Sequence, residues 1–443
     1  MKYADLLPIL YSGTKEFSGR LLKIKRRNVA LGGELISKVS QIISRVQSGG
    51  DAALIEFTNE FDGVELRTIK VPEKEIDKAK ASVSEEVLAI IREAVCNVRA
   101  FHQKQRQNSW TEQKTDGTIL GQRVLPLDRV ALYVPGGTAA YPSTVIMNAV
   151  PAQVAGVNEI FVLTPPNKDG SVNRLVLATC SILGIKNVFS VGGAQAIAAA
   201  AYGTESIKKV DKIVGPGNVY VAAAKKIVFG DVDIDMIAGP SEVVVLADST
   251  ADADQVAADL LAQAEHDKNA AAVLVTTDKN LARKTQKRIC AFVSSLSRKE
   301  IASESIRRNG AAFIVEDFSE AVSLINEIAP EHLEIIAENE WEILGKIKNA
   351  GAVFLGKYSP EPVGDYFAGP SHVLPTGGTA RFSSVLSVES FVKRSSVIHY
   401  SRNAFERDST KITTFAENEG LTAHALSIKI RSRNAHGKKK MAE

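Results

Sequence analysis

The stretch RVALYVPGGTAAYPSTVIMNAVPAQVAG, Arg129 to Gly156, holds a short β-rich apolar run, a Pro-Gly-Gly turn and a helical segment in immediate succession. The same texture recurs in NEIFVLTPP (Asn158–Pro166), NVFSVGG (Asn187–Gly193) and DKIVGPG (Asp211–Gly217), with NVYVAAAKKIVFG (Asn218–Gly230) as a further helix. Strand, glycine turn and helix repeated in this way predict βαβ units and a parallel sheet.

Beyond DIDMIAGPS (Asp233–Ser241) the alternation resumes. EVVVLAD, AAAVLVTTD, GAAFIVED, HLEIIAE and GAVFLG, between Glu242 and Gly356, are strand candidates separated by helices. They predict a second α/β domain of similar type, without a close sequence repeat of the first. Upstream, ELISKVSQIISRVQSGG, DAALIEFTNEFDG and SEEVLAIIREAVCNVRAFHQKQ are amphipathic helical stretches between residues 34 and 105. Downstream, Lys357 to Ser384 is rich in Gly, Pro and Ser yet carries aromatic residues, an Asp and a His, the composition of a functional loop. Two helices close the chain, too few to bury a core alone. The expected fold class is α/β: two Rossmann-like, doubly wound domains with parallel sheets, plus helical N- and C-terminal extensions. The expected boundaries are residues 1–29 for the first extension and 129–235 for one Rossmann-like domain. Residues 30–128 with 236–384 form a discontinuous α/β domain, and 385–443 the last extension.

At 443 residues the chain exceeds one ordinary core. It is 45% hydrophobic and 24% charged, with a net charge of +3 spread along its length. That balance disfavours nucleic-acid binding, and only the tail HGKKKMAE is locally basic. No window approaches the ~20 apolar residues of a membrane span. The start MKYADLLPILYSG lacks a signal-peptide pattern, so a cytoplasmic location is expected. Cys96, Cys180 and Cys290 each lie in an apolar helical pattern and are expected as buried packing residues, not nucleophiles or metal ligands.

Chemistry concentrates around a few histidines. STADADQVAADLLAQ, Ser249 to Gln263, reads as a helix with Ser249 and Thr250 as plausible caps. Gln263 and His266 then share one face, which either holds two ligands or simply ends at the surface. Of seven histidines, His266, His332, His372 and His424 stand in marked contexts. Gln263 and Glu265, Glu331, and Glu419 are near three of them in sequence, and Asp365 precedes His372 by seven residues. His102 is expected on a polar helix face, His399 in a charged turn and His436 in the tail. Imidazoles with carboxylate and amide oxygens suit zinc, manganese or another borderline divalent ion. The spacing fits neither a zinc finger nor H-E-x-x-H, so such a site has to be assembled from distant segments. VPGGTAAYPS, VGGAQAIAAAAYG and VGPGNVYVAAAKK place glycines between strand and helix, where backbone N–H groups can meet a phosphate. None fits G-x-G-x-x-G, and tight turns without a ligand remain an open alternative.

Together, IDMIAGPSEVVVLADSTADADQVAADLLAQAEHD, YVPGG, GGAQAIAA, KIVGPGNVYV, APEHLEI, VGDYFAGPSHVLPTGGTARF and EGLTAHA resemble the histidinol dehydrogenase family from about residue 25 to 432. The resemblance implies oxidation of L-histidinol to L-histidine through histidinaldehyde, with two NAD consumed and one zinc per subunit. It implies Gln263, His266, Asp365 and His424 as zinc ligands and Glu331 and His332 as the acid–base pair. Ser241, His372 and Glu419 are implied at the substrate, together with His332 and the zinc ligands. Tyr133, Gln195 and Asn218 are implied at NAD. It also implies a homodimer whose C-terminal segment reaches the neighbouring active site. Ser371 stands where Asn is expected, a departure in the substrate loop. Two rival functions are weighed: a zinc hydrolase of an imidazole-containing or peptide-like substrate using the same Glu/His pair, and a non-catalytic NAD- or metal-binding regulator.

Overall fold

The computed structural model describes residues 6–27, 32–136 and 141–437, with side chains as far as residue 432. Gly137 to Ala140 of the first glycine turn and the side chain of His436 fall outside the described residues. Fourteen strands are present among the described residues. They are β1 (Ile9–Tyr11), β2 (Trp110–Gln113), β3 (Ile119–Pro126), β4 (Arg129–Tyr133), β5 (Glu159–Thr164), β6 (Asn187–Ser190) and β7 (Lys212–Val214). The rest are β8 (Asp233–Ile234), β9 (Glu242–Ala247), β10 (Ala271–Thr276), β11 (Ala311–Ile314), β12 (His332–Ile336), β13 (Ala352–Leu355) and β14 (Val392–His399).

The chain divides into two compact units, Met1–Arg106 with Leu127–Phe391, and Gln107–Pro126 with Val392–Glu443. The first unit contains two parallel sheets, ordered β6-β5-β4-β7-β8 and β1-β11-β10-β9-β12-β13. In each, the earliest long strand is central, the next two step to one side, and the chain then crosses to the other. That is the strand order of a nucleotide-binding fold, present twice. Every residue of β9 and β10 is buried. Their continuous apolar runs are therefore what a sheet covered on both faces requires.

Helix packing differs from the grouping of residues 30–128 with 236–384. Val39, Ile43, Val46 and Leu54 of the helix Gly33–Asp62 share a core with Ala131, Phe161 and Phe189 of the five-stranded sheet. Ile91, Val95 and Val98 of the helix Glu85–Gln103 join its other face. The N-terminal segment belongs to the six-stranded sheet instead. There β1 adds an edge strand along β11, and Phe17 meets Phe313 with ring centroids 4.5 Å apart.

The second unit contains an antiparallel sheet, β14-β3-β2, and the helices Arg402–Asn418 and Thr422–Gly437. The helices were expected; the sheet was not. His399 ends β14 instead of lying in a turn. His102 is fully buried, not on a polar face, and its Nδ1 lies 2.8 Å from the Val98 carbonyl. Cys180 is buried as expected, Cys290 partly so, and Cys96 is exposed. The cap of the helix Ala253–Ala264 is Asp252, which accepts from the Asp254 N–H at 2.8 Å, and not Ser249 or Thr250.

Candidate active site

The two sheets present polar groups at opposite edges. On the five-stranded sheet these lie at the carboxyl edge, around the point where strand order reverses between β4 and β7. Tyr133 ends β4, and its hydroxyl accepts from the Gly193 N–H at 3.0 Å. Asn218 caps the helix Val219–Val228, its Oδ1 accepting from the Tyr220 and Val221 N–H groups at 3.0 and 3.1 Å. The turn between β7 and this cap is pinned from below. Lys225 Nζ donates to the Gly215 carbonyl at 2.8 Å and to Asp235 Oδ1 at 2.5 Å, while the Gly215 N–H donates to Asp235 Oδ2 at 2.7 Å.

Tyr133, Gln195 and Asn218 all line one cavity of about 1070 Å³, together with Phe57, Asp62 and Pro165. Gln195 Oε1 and Asp62 Oδ2 are buried without a hydrogen-bond partner. Asp62 is also the last residue of its helix, where the macrodipole disfavours an anion. Unsatisfied polar atoms of this kind suit a polar ligand.

On the six-stranded sheet the cluster lies at the amino edge, away from the usual ligand position of such sheets. Glu242 begins β9 and His332 begins β12, paired in a register that sets His332 opposite Val243. Glu331 precedes His332 and accepts from the Glu242 N–H at 3.0 Å. His332 Nδ1 lies 3.2 Å from both the Glu242 carbonyl and Gln263 Nε2. A proton on Nδ1 directed at that carbonyl leaves Nε2 a free base, and Nε2 has no partner. Burial pushes His332 down to about 3, so its ring is neutral at ordinary pH. Burial, with the Glu242 charge next, holds the Glu331 carboxyl well above its usual range. The Ser241 hydroxyl hydrogen-bonds to Glu331 and offsets part of that rise.

The helix Ala253–Ala264 runs back from β9 to the same edge and delivers Gln263 at its end. Gln263 Oε1 is buried with no partner. His266, Asp365 and Glu361 bring ligand atoms within 4.8 Å of one another. Desolvation moves Asp365 up to about 6 and lowers His266, although His266 keeps an exposed face. His372 is half-buried; desolvation, with the His266 charge adding to it, pushes it down to about 4, and it in turn acts on His332.

Glu361 is not among the residues expected from the sequence, because no histidine lies near it in the chain. Its signal was available: it stands four residues before Asp365, on one face of the helix Glu361–Tyr366. Glu361 Oε1 is 3.9 Å from His332 Nε2, and its Oε2 has no partner. Ser371 is buried, its hydroxyl donating to the Met147 carbonyl at 3.3 Å and accepting from the Val373 N–H at 3.2 Å. Glu419 and His424 belong to the second unit, where both line a cavity of about 680 Å³ with Phe415, Leu421 and Ile428.

A carboxyl-edge cavity on a sheet of nucleotide-binding order, and a buried imidazole–carboxylate cluster on a second such sheet, define a two-sheet α/β enzyme. The sequence profile of histidinol dehydrogenase matches residues 25–432. The chain is 57% identical over 393 residues to the histidinol dehydrogenase of Halalkalibacterium halodurans, covering 89% of this chain and 93% of that one. It is 52% identical over 427 residues to that of Clostridium acetobutylicum, covering 96% and 99%. The crystal structure of histidinol dehydrogenase from Elizabethkingia anophelis matches with a TM-score of 0.92 at 37% identity, over 97% of this chain and 99% of that one. The chain belongs to the histidinol dehydrogenase family.

Gly215 supplies a test of this geometry. Its φ is +107°, and an added Cβ would lie 2.2 Å from the Tyr133 carbonyl oxygen. Gly215→Ala should cost at least ~1–3 kcal/mol from backbone strain alone, read as a lower urea midpoint at constant m-value. An unchanged midpoint would show that the turn relaxes freely.

Proposed function

We propose that this protein oxidises L-histidinol to L-histidine through L-histidinaldehyde, a four-electron reaction that consumes two NAD and uses one zinc ion per subunit in the cytoplasm. The observation that carries the reading is the cluster of His266, Asp365 and Glu361 ligand atoms with Glu361 Oε2 orphaned, next to a buried, neutral His332 whose neighbour Gln263 has an orphaned Oε1. This donor set, one imidazole with carboxylate and amide oxygens and no thiolate, fits a borderline divalent cation. Gln263, His266 and Asp365, with the partner subunit's His424, would hold the zinc, which when bound orients the substrate as a template. Ser241, His372 and Glu419 contact the substrate. Tyr133, Gln195 and Asn218 would hold NAD, which when bound would supply the hydride acceptor for each oxidation; their shared cavity supports that role.

The two oxidations make different demands on the acid–base pair. In the first, the alcohol would give up a hydride and its hydroxyl proton, the proton passing to the unpartnered His332 Nε2; because burial lowers the proton affinity of that ring, His332 would relay the proton onward rather than keep it. In the second, Glu331 takes a proton from the water that adds to the aldehyde. Its raised proton affinity makes the ionised carboxylate a better base than an ordinary glutamate. The hydrate would then give up a second hydride, and the carboxylic acid so formed would release a second proton to solvent as the carboxylate. Oxidation through a thiohemiacetal would need an accessible thiolate. Cys180 is fully buried with its thiol pushed up to about 12, and neither other cysteine is among the cluster residues.

The second unit bears on assembly. Phe415, Leu421, Leu426 and Ile430 are exposed on its helical pair, alongside the cavity that holds Glu419 and His424. Exposed apolar side chains at this density suit a subunit contact, so the reading includes a homodimer in which this segment completes the neighbouring site. Among the described residues no helix is long and apolar enough to cross a membrane.

The direct test is NADH absorbance on mixing histidinol with NAD, with two NADH formed per histidinol. A metal-free, fully chelated protein should be inactive, and His266→Asn should retain less zinc by elemental analysis after dialysis. Full activity without metal would overturn the zinc assignment.

Glu331→Gln keeps the shape and removes the base. Aldehyde oxidation should fall on the order of 10²-fold and alcohol oxidation by less, compared by supplying each substrate separately. Equal slowing of both would remove Glu331 from water activation.

Subunit sharing is tested by mixing His332→Ala and His424→Ala proteins after reversible dissociation. A mixed dimer gathers both lesions in one site and leaves the other intact, so random pairing should restore about a quarter of wild-type activity. A mixture that stays inactive would place His424 in its own subunit's site.

A further inference from the structure

Glu242 holds both acid–base residues through its backbone. Its N–H donates to Glu331 Oε2 at 3.0 Å, and its carbonyl lies 3.2 Å from His332 Nδ1. The position of this one residue therefore sets the mutual orientation of the pair. Its side chain is clamped in turn by a residue from the far N-terminal segment. Arg27 Nη2 meets Glu242 Oε2 at 2.5 Å, with the two side chains 7% and 4% exposed. Arg27 also donates through Nη1 to the Asn269 carbonyl at 3.1 Å, and Glu242 Oε1 accepts from the Gly377 N–H at 3.1 Å.

A buried ion pair of this kind contributes little net stability, because desolvation of both charges offsets their attraction. Its place directly behind the acid–base pair suggests another use. We propose that Arg27 is a positioning residue, whose ion pair with Glu242 fixes the backbone that orients Glu331 and His332 and neutralises the charge behind them.

The inference rests on the reading of Glu331 as a base, and it makes an electrostatic demand that a packing role does not. Arg27, Glu242, Asp365, Glu361, His332 and the Ser241 hydroxyl all face or act on Glu331. The Glu242 charge raises the Glu331 proton affinity and the Arg27 charge opposes it. Glu242→Gln leaves Arg27 uncompensated, because a guanidinium does not release its proton. Glu331 then ionises at lower pH. The acid limb of the kcat profile for aldehyde oxidation should move down by about 1 unit, the scale of one nearby opposite charge.

The double variant Arg27→Gln/Glu242→Gln contains no unpaired buried charge. Its limb should return towards the wild-type position, while kcat stays about tenfold low and KM changes by less than about twofold, because orientation is lost and ground-state binding is not. An E242Q limb that does not move overturns the proposal, as does a double variant with wild-type kcat and only a lower melting temperature. Should E242Q fail to fold, the double variant decides alone through that kcat. Glu331→Gln separates the two levels. A limb that survives it overturns the role of Glu331 and this inference together. A limb lost in E331Q but unmoved in E242Q overturns this inference alone.

Discussion

The parallel register of β9 and β12 is the constraint on which the acid–base cluster depends. His332 sits opposite Val243 and Ile335 opposite Leu246, at the centre of a sheet buried on both faces. A slip of one residue would reverse the facing of every side chain along the strand, so the core and the cluster are specified together. Close packing on both sides also explains the shifted proton affinities. Glu331 and His332 are removed from water by the same sheet that aligns them, and desolvation is the largest cause of both shifts.

The two sheets share a strand order but use opposite edges. At the carboxyl edge of the five-stranded sheet, turns and helix starts present backbone N–H groups, the resource a nucleotide needs. At the amino edge of the six-stranded sheet, strand starts and the end of the helix Ala253–Ala264 present side chains instead. Gln263 reaches that edge because a helix connecting parallel strands must return antiparallel to them. The chemistry of each edge thus follows from the direction of its elements.

Much of this was legible in the sequence, for an identifiable reason. Strands buried on both faces read as apolar runs; β4 through β7 are also closed by Gly or Pro within three residues, and β9 through β11 stand out by apolar composition alone. The antiparallel sheet was not legible because β2 is exposed along its whole length and β14, VKRSSVIH, is largely polar and exposed. His102 was not legible as a core residue because the polar Gln103 and Lys104 follow it, while its ring is buried with Nδ1 at the Val98 carbonyl of the same helix. In the candidate site, resemblance and residue type drew attention to Gln263, His266 and Asp365. Glu242 and Arg27 carry no local mark, since their significance lies in a contact across 215 residues, whereas the only local sign of Glu361 is its place four residues before Asp365.

The N-terminal edge strand has a consequence for how the protein is made. Ile9 of β1 pairs with Ala312 of β11, so during synthesis this strand waits for a partner roughly 300 residues later in the chain. At ordinary synthesis rates of about 5–20 residues per second, that wait is roughly 15–60 s. The five-stranded sheet, drawn from contiguous sequence between Arg129 and Ile234, can close well before then. During the interval the segment Leu6–Tyr11, whose Leu6 and Leu7 end up buried, is an unpaired apolar strand on a nascent chain. Such a segment is exposed to aggregation until β11 emerges, and its docking covers that edge of the sheet before β12 and β13 are made.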